Sequence, residues 1–503
     1  MILSLLCGIM LVFSSEVSSE ATLDIRLTTG IYRGLATSNG TEQWLGIPYA
    51  VPPTGSKRFK APTPFEKLSS GTDQPVNDAS RYGNACPQPP SAALGAPVGE
   101  DCLYLNVWRP QNTSETAKLP VLVYFHGGAY TNGAGSAPAT NPTQLLLRSV
   151  AINRPMICVS INYRLNTFGF LASSIIPKSD LNAGLLDQIE ALRFLQLNLA
   201  AFGGDPEKVT IWGQSAGAGS VESLILYPPP GQKLFRAGMA DTSTGPFKSS
   251  PPPEAYDKPG SPFMRLLSAT GCSASSDAGN CLRDVPFEKL LNISNDMIAN
   301  TLNRQLWQPT ISPGTLWSTQ ASAKKKSGDF LSVPYLAGTN VNEGATYATD
   351  LRSRNLTGAA QEAAFDNYIN RLHIIDNSSI TQATLQEIHR LWAENDTTLG
   401  APFNQGDSLY DRAAAWYRDE MYLAPRRLFF DYAAPKQDIY AYYFKEFLPG
   451  GDPTLGAEWP RYNLETRPVL QLLRGNITII PDNWDIEKTD FLNTDEVLKG
   501  FQK

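Results

Sequence analysis

Short apolar runs bounded by turn-forming residues recur along this 503-residue chain. Runs of this length without polar alternation are typical of strands buried on both faces of a sheet. The runs are residues Leu119–Phe125, 156–161, 209–212, 333–336 and Ile439–Phe444. Helical patterns separate them. An order of strand, helix, strand predicts the α/β class, with a mainly parallel central sheet flanked by helices.

The clearest helical pattern has apolar residues at every third or fourth position from 185 to 199. Gly203 and Gly204 predict the end of that helix, and residues 205–206 (Asp-Pro) predict a turn. No internal repeat or convincing linker divides the chain, and the Pro- and Ser-rich stretch 249–262 fits an insertion loop as well as a boundary. We therefore expect residues 20–503 to form one α/β domain with large loop insertions.

The first 19 residues have the pattern of a secretory signal peptide. Residues 1–13 are almost wholly apolar, and small polar residues follow at 14–19, so we expect cleavage near Ser19. The apolar stretch is shorter than the roughly 20 residues that a membrane span needs, and no later run is long enough. Asn-X-Ser/Thr sites fit a secreted glycoprotein, and they begin at Asn39, Asn112, Asn292, Asn355, Asn377, Asn395 and Asn476.

Charge and motif content exclude several classes of partner. Lys and Arg number 42 against 48 Asp and Glu, a net charge of −6, so the chain lacks the basic surface that nucleic acid requires. We interpret the one basic run, 324–326, as a solvated loop. No H-E-x-x-H motif, Cys and His cluster, dinucleotide loop or phosphate loop occurs, so we expect no metal and no cofactor.

Cysteine usage also fits an oxidising compartment. Five cysteines remain once Cys7 is removed with the signal peptide, which favours two disulfides and one spare thiol. Cys158 lies inside the apolar run 156–161, so we expect it to be buried and free. The other four bracket short polar loops in pairs, Cys86 with Cys102 and Cys272 with Cys281.

The run 209–212 leads into the pentapeptide 213–217 (GQSAG), and small residues then open a helix. A tight turn of this kind lifts the Ser215 hydroxyl above the edge of the sheet, and a side chain in place of either glycine would collide with neighbouring backbone. G-x-S-x-G alone recurs by chance. Its place between a strand and a helix indicates that Ser215 is a nucleophile.

A second motif follows the strand Leu119–Phe125. His126 is succeeded by Gly127 and Gly128, whose backbone N–H groups could face a developing oxyanion. The N–H group of Ala216 would add a further donor. A glycine pair after a strand is often only a turn. This motif indicates an oxyanion site only because the Ser215 pentapeptide occurs in the same chain.

Longer segments around these motifs resemble the type-B carboxylesterase and lipase family, which includes cholinesterases and fungal lipases. The two family signatures are matched by residues 100–110 (EDCLYLNVWRP) and 202–217 (FGGDPEKVTIWGQSAG). The resemblance runs from near 46–50 (GIPYA) to 459–462 (WPRY), nearly the whole mature chain. It implies the α/β-hydrolase fold.

The resemblance assigns the site residues one by one. It implies Ser215 as nucleophile, Gly127, Gly128 and Ala216 as oxyanion donors, and Glu343 as the acid that orients the base. Glu343 lies in a loop after the run 333–336, where a carboxylate can hold an imidazole and stabilise its cation.

The resemblance also bears on the disulfides and on the size of the substrate. The family pairs cysteines at positions like those four. Only residues 87–101 separate Cys86 from Cys102, a shorter flap than in related fungal lipases, which favours small or medium esters over long triglycerides.

The base is missing from its expected place. In this fold the partners run in the order Ser, acid, His, with the His after a late strand, here Ile439–Phe444. Family members have a few dozen residues there, with the His and a following helix. This chain passes directly from 445–450 (KEFLPG) to 451–453 (GDP) and has no histidine after His389. We predict that a family segment is absent near 448–452.

The three histidines present are poor substitutes. We interpret His126 as a structural residue of the glycine loop, and His389 as a partly buried core residue on a helical apolar stripe. His373 also precedes the late strand. Without a base the Ser215 hydroxyl is weakly nucleophilic, and losing such a His lowers turnover by a factor on the order of 10⁶.

Two functions remain open. The leading hypothesis is a secreted carboxylic ester hydrolase that forms an acyl-enzyme on a small-molecule ester or lipid substrate. The intact Ser215 motif, oxyanion glycines and Glu343 favour it. The alternative is a catalytically inactive, esterase-like binding or adhesion protein, which the missing His favours.

Overall fold

The computed structural model of the chain describes residues 23–66, 74–243, 245–301, 304–372, 378–401, 404–445, 459–473 and 477–503. The strands of this part of the chain are β1 (Asp24–Leu27), β2 (Gly30–Arg33), β3 (Leu35–Ala36), β4 (Thr41–Pro48), β5 (Val76–Asp78), β6 (Tyr104–Pro110), β7 (Leu119–Phe125), β8 (Ile157–Ile161), β9 (Gly204–Gln214), β10 (Ala237–Asp241), β11 (Tyr335–Asn340), β12 (Ile439–Phe444), β13 (Pro468–Leu472) and β14 (Thr478–Pro481). The α-helices are α1 (Thr143–Ala151), α2 (Asn166–Phe170), α3 (Ala183–Asn198), α4 (Ala216–Leu226), α5 (Pro262–Thr270), α6 (Ala278–Asp284), α7 (Phe287–Ala299), α8 (Ala321–Ser327), α9 (Gly358–Leu372), α10 (Gln382–Leu391), α11 (Ser408–Arg418), α12 (Ala424–Ala433), α13 (Ile486–Leu492) and α14 (Asp495–Gly500).

A large mixed sheet forms the centre of the molecule. Among the described residues it has eleven strands, in the order β14-β13-β12-β11-β10-β9-β7-β8-β6-β4-β3. The run from β13 to β8 is parallel throughout, and antiparallel strands extend both edges. Strands β1, β2 and β5 form a separate small sheet. The predicted α/β class with a mainly parallel sheet is confirmed.

The predicted elements differ from the observed ones mainly at their ends. Helix α3 covers the predicted helical pattern and passes into a 3₁₀ turn at Leu199–Phe202, which Gly203 ends with φ 80°. The predicted turn at 205–206 is wrong, because β9 already begins at Gly204. Gly204 pairs with Leu119 and Val209 with Val121, so residues 205–208 form an irregularity within β9.

The two faces of the central sheet are buried to different degrees. On one face, side chains such as Val123, Ile211 and Ala441 are fully buried. On the other, most of the alternating residues of β7 and β9 to β12 are partly exposed, namely Leu122, Tyr124, Thr210, Trp212, Met239, Asp241, Leu336, Tyr440 and Tyr442. Cys158 and Ser160 of the adjoining β8 lie on the same face but are buried. We call the partly exposed set the open face.

Aromatic and polar contacts tie the open face together. The rings of Tyr124 and Trp212 lie 4.8 Å apart. The Asp241 carboxylate accepts hydrogen bonds of 2.6 Å from the Trp212 indole N–H and from the Tyr442 hydroxyl. Burying a single face of a sheet is common for antiparallel sheets, whereas a mainly parallel sheet is normally covered on both. The open face is therefore exceptional for this architecture.

The basic run at 324–326 is not a solvated loop. It lies in α8, where Lys325 is 1% exposed and its ammonium lies 2.6 Å from the Glu222 carboxylate. Lys325 also donates to the carbonyl oxygens of Gly245 and Pro425 at 3.1 Å each. The sequence interpretation failed because a short polar segment gives no sign of a buried acidic partner 103 residues away.

The predicted disulfides are confirmed, since Cys86 is bonded to Cys102 and Cys272 to Cys281. Cys158 is free and 3% exposed, on β8. Burial raises the pKa of its thiol to about 12, so the thiol stays protonated and unreactive at neutral pH.

The predicted signal peptide and the sites at Asn377 and Asn476 lie outside the described residues. Within the part of the chain that the structure describes, no helix is long and apolar enough to cross a membrane. In that same part, no group of three or more His, Cys, Asp or Glu side chains could hold a metal ion.

Candidate active site

Ser215 occupies the sharp turn between β9 and α4. Its backbone has φ 55° and ψ −121°, a region that a side chain with a Cβ rarely adopts. The Ser215 N–H donates to the carbonyl of Asp241 on the adjacent strand at 2.9 Å, which fixes the turn against β10. The side chain is partly exposed at the carboxyl end of the parallel strands.

The glycines on either side of Ser215 make this turn possible. A Cβ on Gly213 would lie 2.2 Å from the backbone of Gly217, and one on Gly217 would lie 2.1 Å from the carbonyl oxygen of Phe125. Distances this short leave no room for any side chain. The requirement for glycine at both positions, which we predicted from the pentapeptide, follows from these backbone contacts.

The glycine loop after β7 lies directly beside Ser215. A Cβ on Gly127 would be 2.6 Å from the carbonyl oxygen of Gln214 and 3.2 Å from the Cβ of Ser215. Gly128 has φ 110°, a backbone conformation that a residue with a side chain rarely adopts. The N–H groups of Gly127, Gly128 and Ala216 donate to no backbone group among the described residues. Three such donors next to a serine can stabilise an oxyanion.

His126 makes its contacts with the glycine loop and with Tyr163. Its ring stacks on Tyr163 with centroids 4.3 Å apart, and Nδ1 lies 2.9 Å from the carbonyl oxygen of Gly127, to which it can donate. Burial lowers its pKa to about 4, so the ring is neutral at pH 7. Its contacts hold the glycine loop in place.

Glu343 lies in the turn that follows β11. Its Oε1 accepts hydrogen bonds from the backbone N–H of Asn340 at 2.6 Å and from the Thr242 hydroxyl at 2.9 Å. Burial raises the pKa of Glu343, while these hydrogen bonds oppose the shift. The next residue, Gly344, packs so closely on α11 that a Cβ would lie 1.8 Å from the carbonyl oxygen of Ala414. The carboxylate is therefore held at a fixed place.

The late strand ends beside that carboxylate. The carbonyl oxygen of Phe444, the last residue of β12, accepts from the N–H of Val341 at 3.0 Å, two residues before Glu343. A chain leaving β12 thus starts next to the Glu343 turn. The predicted join at 448–452 lies outside the described residues.

His389 is held elsewhere. On α10, its Nε2 lies 2.6 Å from an oxygen of Asp366 and its Nδ1 lies 3.1 Å from an oxygen of Glu362. Both ring nitrogens are therefore engaged with carboxylates of α9. The expectation of a partly buried residue holds, with 23% of the side chain exposed, and its polar contacts are with the carboxylates of Glu362 and Asp366. His373 lies outside the described residues.

A narrow cavity of about 20 Å³ opens beside Ser215 and Ala216. Its lining also includes Lys248, a fully buried lysine in the loop after β10. Sequence reasoning missed this residue, since Lys248 directly precedes the Pro- and Ser-rich stretch 249–262, which suggests only a surface loop.

Comparison with known proteins settles the family. Residues 21–470 match the profile described as Carboxylesterase family. The chain belongs to the carboxylesterase family. Lipase 4 of Diutina rugosa is 32% identical to it over 436 residues, covering 78% of this chain and 74% of that protein. "Secreted lipase 1" of Botryotinia fuckeliana (strain B05.10) is 32% identical over 426 residues, covering 77% of this chain and 70% of that protein.

Solved structures give the same fold for this carboxylesterase family member. EstA of Aspergillus niger superposes with a TM-score of 0.77 at 22% identity, over 96% of this chain and 99% of that one. The expected α/β-hydrolase fold is confirmed, and the family supports ester hydrolysis as the reaction class.

Proposed function

We propose that residues 20–503 form a secreted carboxylic ester hydrolase that acts through an acyl-enzyme on Ser215. The observation that carries this proposal is the strained backbone of Ser215, φ 55°, at a strand end directly beside Gly127. Strain of this kind persists only where the surrounding structure enforces it, and it is concentrated at functional sites. Membership of the carboxylesterase family supports the same reading.

In the proposed reaction Ser215 Oγ attacks the carbonyl carbon of the ester. Negative charge develops on the carbonyl oxygen, and the N–H groups of Gly127, Gly128 and Ala216 stabilise it. The tetrahedral intermediate expels the alcohol and leaves an acyl group on Ser215. Water then attacks the acyl group and releases the acid.

The proton of the Ser215 hydroxyl must pass to a base, which then donates it to the departing alcohol. Glu343 is suited to orient an imidazole, because it is fixed by Asn340 and Thr242 at the carboxyl end of the sheet. The end of β12 lies next to the Glu343 turn. We therefore propose that a His-bearing segment belongs near 448–452 and is absent from this chain.

Labelling with an organophosphonate tests this proposal, since the adduct forms only on an activated serine. Two proteins are compared: the chain as given, and the chain with the corresponding His-bearing segment of a related esterase inserted between Leu448 and Asp452. We expect rapid labelling and hydrolysis of short p-nitrophenyl esters only in the second. Ser215→Ala must abolish both, and labelling that survives this substitution would show that another residue is the nucleophile.

The alternative function is a non-catalytic binding protein on the same fold. The observation that favours it is the engagement of both described histidines, His126 with Gly127 and His389 with acidic side chains of α9. This alternative predicts no labelling even after the segment is restored.

Secretion and substrate size complete the proposal. We propose cleavage of a signal peptide at 1–19, supported by the two disulfides and by a relative named as a secreted lipase.

The size of the substrate is limited by two features of the site. The short flap between Cys86 and Cys102 and the narrow cavity beside Ser215 support small or medium esters over long acyl chains.

A further inference from the structure

The cavity beside Ser215 is lined by buried polar atoms that have no partner. Four such atoms make no hydrogen bond to any described residue: Lys248 Nζ, Gln305 Oε1, Gln308 Nε2 and Tyr417 OH. Buried polar groups are almost always hydrogen-bonded, and leaving one unpaired is destabilising. Four of them around one small cavity indicate a site built for a polar group.

Lys248 gives this site its charge. The residue is 6% exposed, and the charged groups that act on it are Glu420 and Lys503. The Glu420 carboxylate already lies 2.7 Å from the Lys503 ammonium, so its charge is matched. Tyr417 and Tyr422, on the helical segments that face Lys248, are neutral because burial raises the pKa of each well above its usual value. The ammonium of Lys248 is left without a counter-ion.

The same burial lowers the pKa of Lys248 to about 7. An anion in the cavity would favour the charged form and raise that pKa again. Near neutral pH the lysine can therefore be protonated by the arrival of an anionic ligand.

We propose that this cavity binds a carboxylate carried by the ester substrate, so that the substrates are half-esters of small dicarboxylic acids. The Lys248 ammonium, the Gln308 amide N–H and the Tyr417 hydroxyl donate to the carboxylate, while Ser215 lies on the same cavity and faces the ester group. A volume of about 20 Å³ suits one or two water-sized groups, such as two carboxylate oxygens. An alkyl group there would leave all four polar atoms unpaired, whereas a carboxylate pairs the three donors and leaves only Gln305 Oε1, an acceptor, without a partner. The inference rests on the proposed function, since it names the substrate of that site.

The test measures binding, not turnover, with the Ser215→Ala protein, so that hydrolysis does not interfere. Monomethyl succinate and methyl butyrate have the same four-carbon acyl chain and differ in the terminal carboxylate. We expect calorimetry at pH 6 to show about tenfold tighter binding of monomethyl succinate, the size of effect that a charge-assisted hydrogen bond produces. Equal binding of the two esters would overturn the proposal and leave the cavity as a site for water only.

Lys248→Met in the same background should remove the preference. The matched control is Lys233→Met, since Lys233 is 65% exposed and pairs with Glu207 at the surface. Retention of the preference in Lys248→Met would also overturn the proposal. If that variant does not fold, Gln308→Leu serves instead, and it should weaken the preference without changing the charge.

The pH dependence gives an independent readout. Because the ammonium is present below the pKa of Lys248 and is lost above it, the preference for monomethyl succinate should fall between pH 6 and pH 8.5. A preference that does not change over this range contradicts the assignment to Lys248. Failure of the proposed function is seen separately, as absence of Ser215 labelling in the segment-restored chain, and it would not alter these binding results.

Discussion

Glu343 is the residue whose role can be separated most cleanly from folding. In the segment-restored chain, Glu343→Gln keeps the shape of the side chain and its acceptance from Asn340 and Thr242, but removes the charge that balances an imidazolium. We expect kcat to fall by a factor on the order of 10⁴, with an unchanged melting temperature. Glu207→Gln, at an exposed surface position, is the control. An unchanged kcat would remove Glu343 from the site.

Single residues differ in how far their roles can be predicted from sequence. Ser215 and Gly127 belong to local motifs whose spacing carries their geometry, so both could be named in advance. Lys248 could not, because its burial depends on Gln305, Gln308 and Tyr417, which are distant in the sequence and meet it only in the folded chain. Whether a buried charge such as that of Lys248 has a partner depends on these tertiary contacts, so no local sequence pattern predicts it.

At the scale of elements, the disulfide between Cys272 and Cys281 joins the end of α5 to α6. Removing it with the double substitution Cys272→Ser and Cys281→Ser should lower the free energy of unfolding by about 2 to 3 kcal/mol, the chain-entropy value for so short a loop. Urea unfolding of this variant and of the unaltered chain, both without a reductant so that the Cys86–Cys102 disulfide stays intact, measures this. Cys158→Ala should respond to a reductant as the unaltered chain does, and loss of that response would show that Cys158 is bonded.

The elements that sequence reasoning recovered and missed have a common explanation. Strands β7 and β12 are continuous apolar runs and were predicted with their observed bounds. Strand β10 was missed, because Ala, Gly and Asp have low β-propensity. It is a strand because parallel pairing with β9 and β11 on both sides imposes that conformation. Helix α8 was missed for a similar reason. Its lysines suggest a polar surface, and the burial of Lys325 depends on Glu222, which is distant in the sequence.

For the whole molecule, the open face predicts poor behaviour in solution. Its partly exposed side chains include the adjoining rings of Tyr124 and Trp212, and exposed apolar surface of this kind promotes association. We expect the chain as given to bind the dye ANS and to self-associate with rising concentration. Restoring the His-bearing segment and its following helix should suppress both together with the recovery of labelling at Ser215.

A substitution within the given chain separates the open face from general instability. Leu336→Lys places a charge on the open face and should reduce ANS fluorescence. Leu197→Lys, at a position on α3 that is 56% exposed, should leave it unchanged. Equal effects of the two variants would show that the dye binds elsewhere.

The position of the free cysteine also affects how the chain acquires its covalent structure. Strand β8 lies between β7 and β6 in the middle of the sheet, and Cys158 packs there against Trp108 and Leu146. During oxidative folding a bond from Cys158 to any other cysteine would have to bring the two Cα atoms within about 7 Å, which would draw β8 out of the sheet. Chains mispaired in this way cannot complete the sheet and keep their disulfides accessible to exchange. Once the sheet is complete, Cys158 is buried and can no longer take part in thiol–disulfide exchange, which favours the native pairs Cys86–Cys102 and Cys272–Cys281.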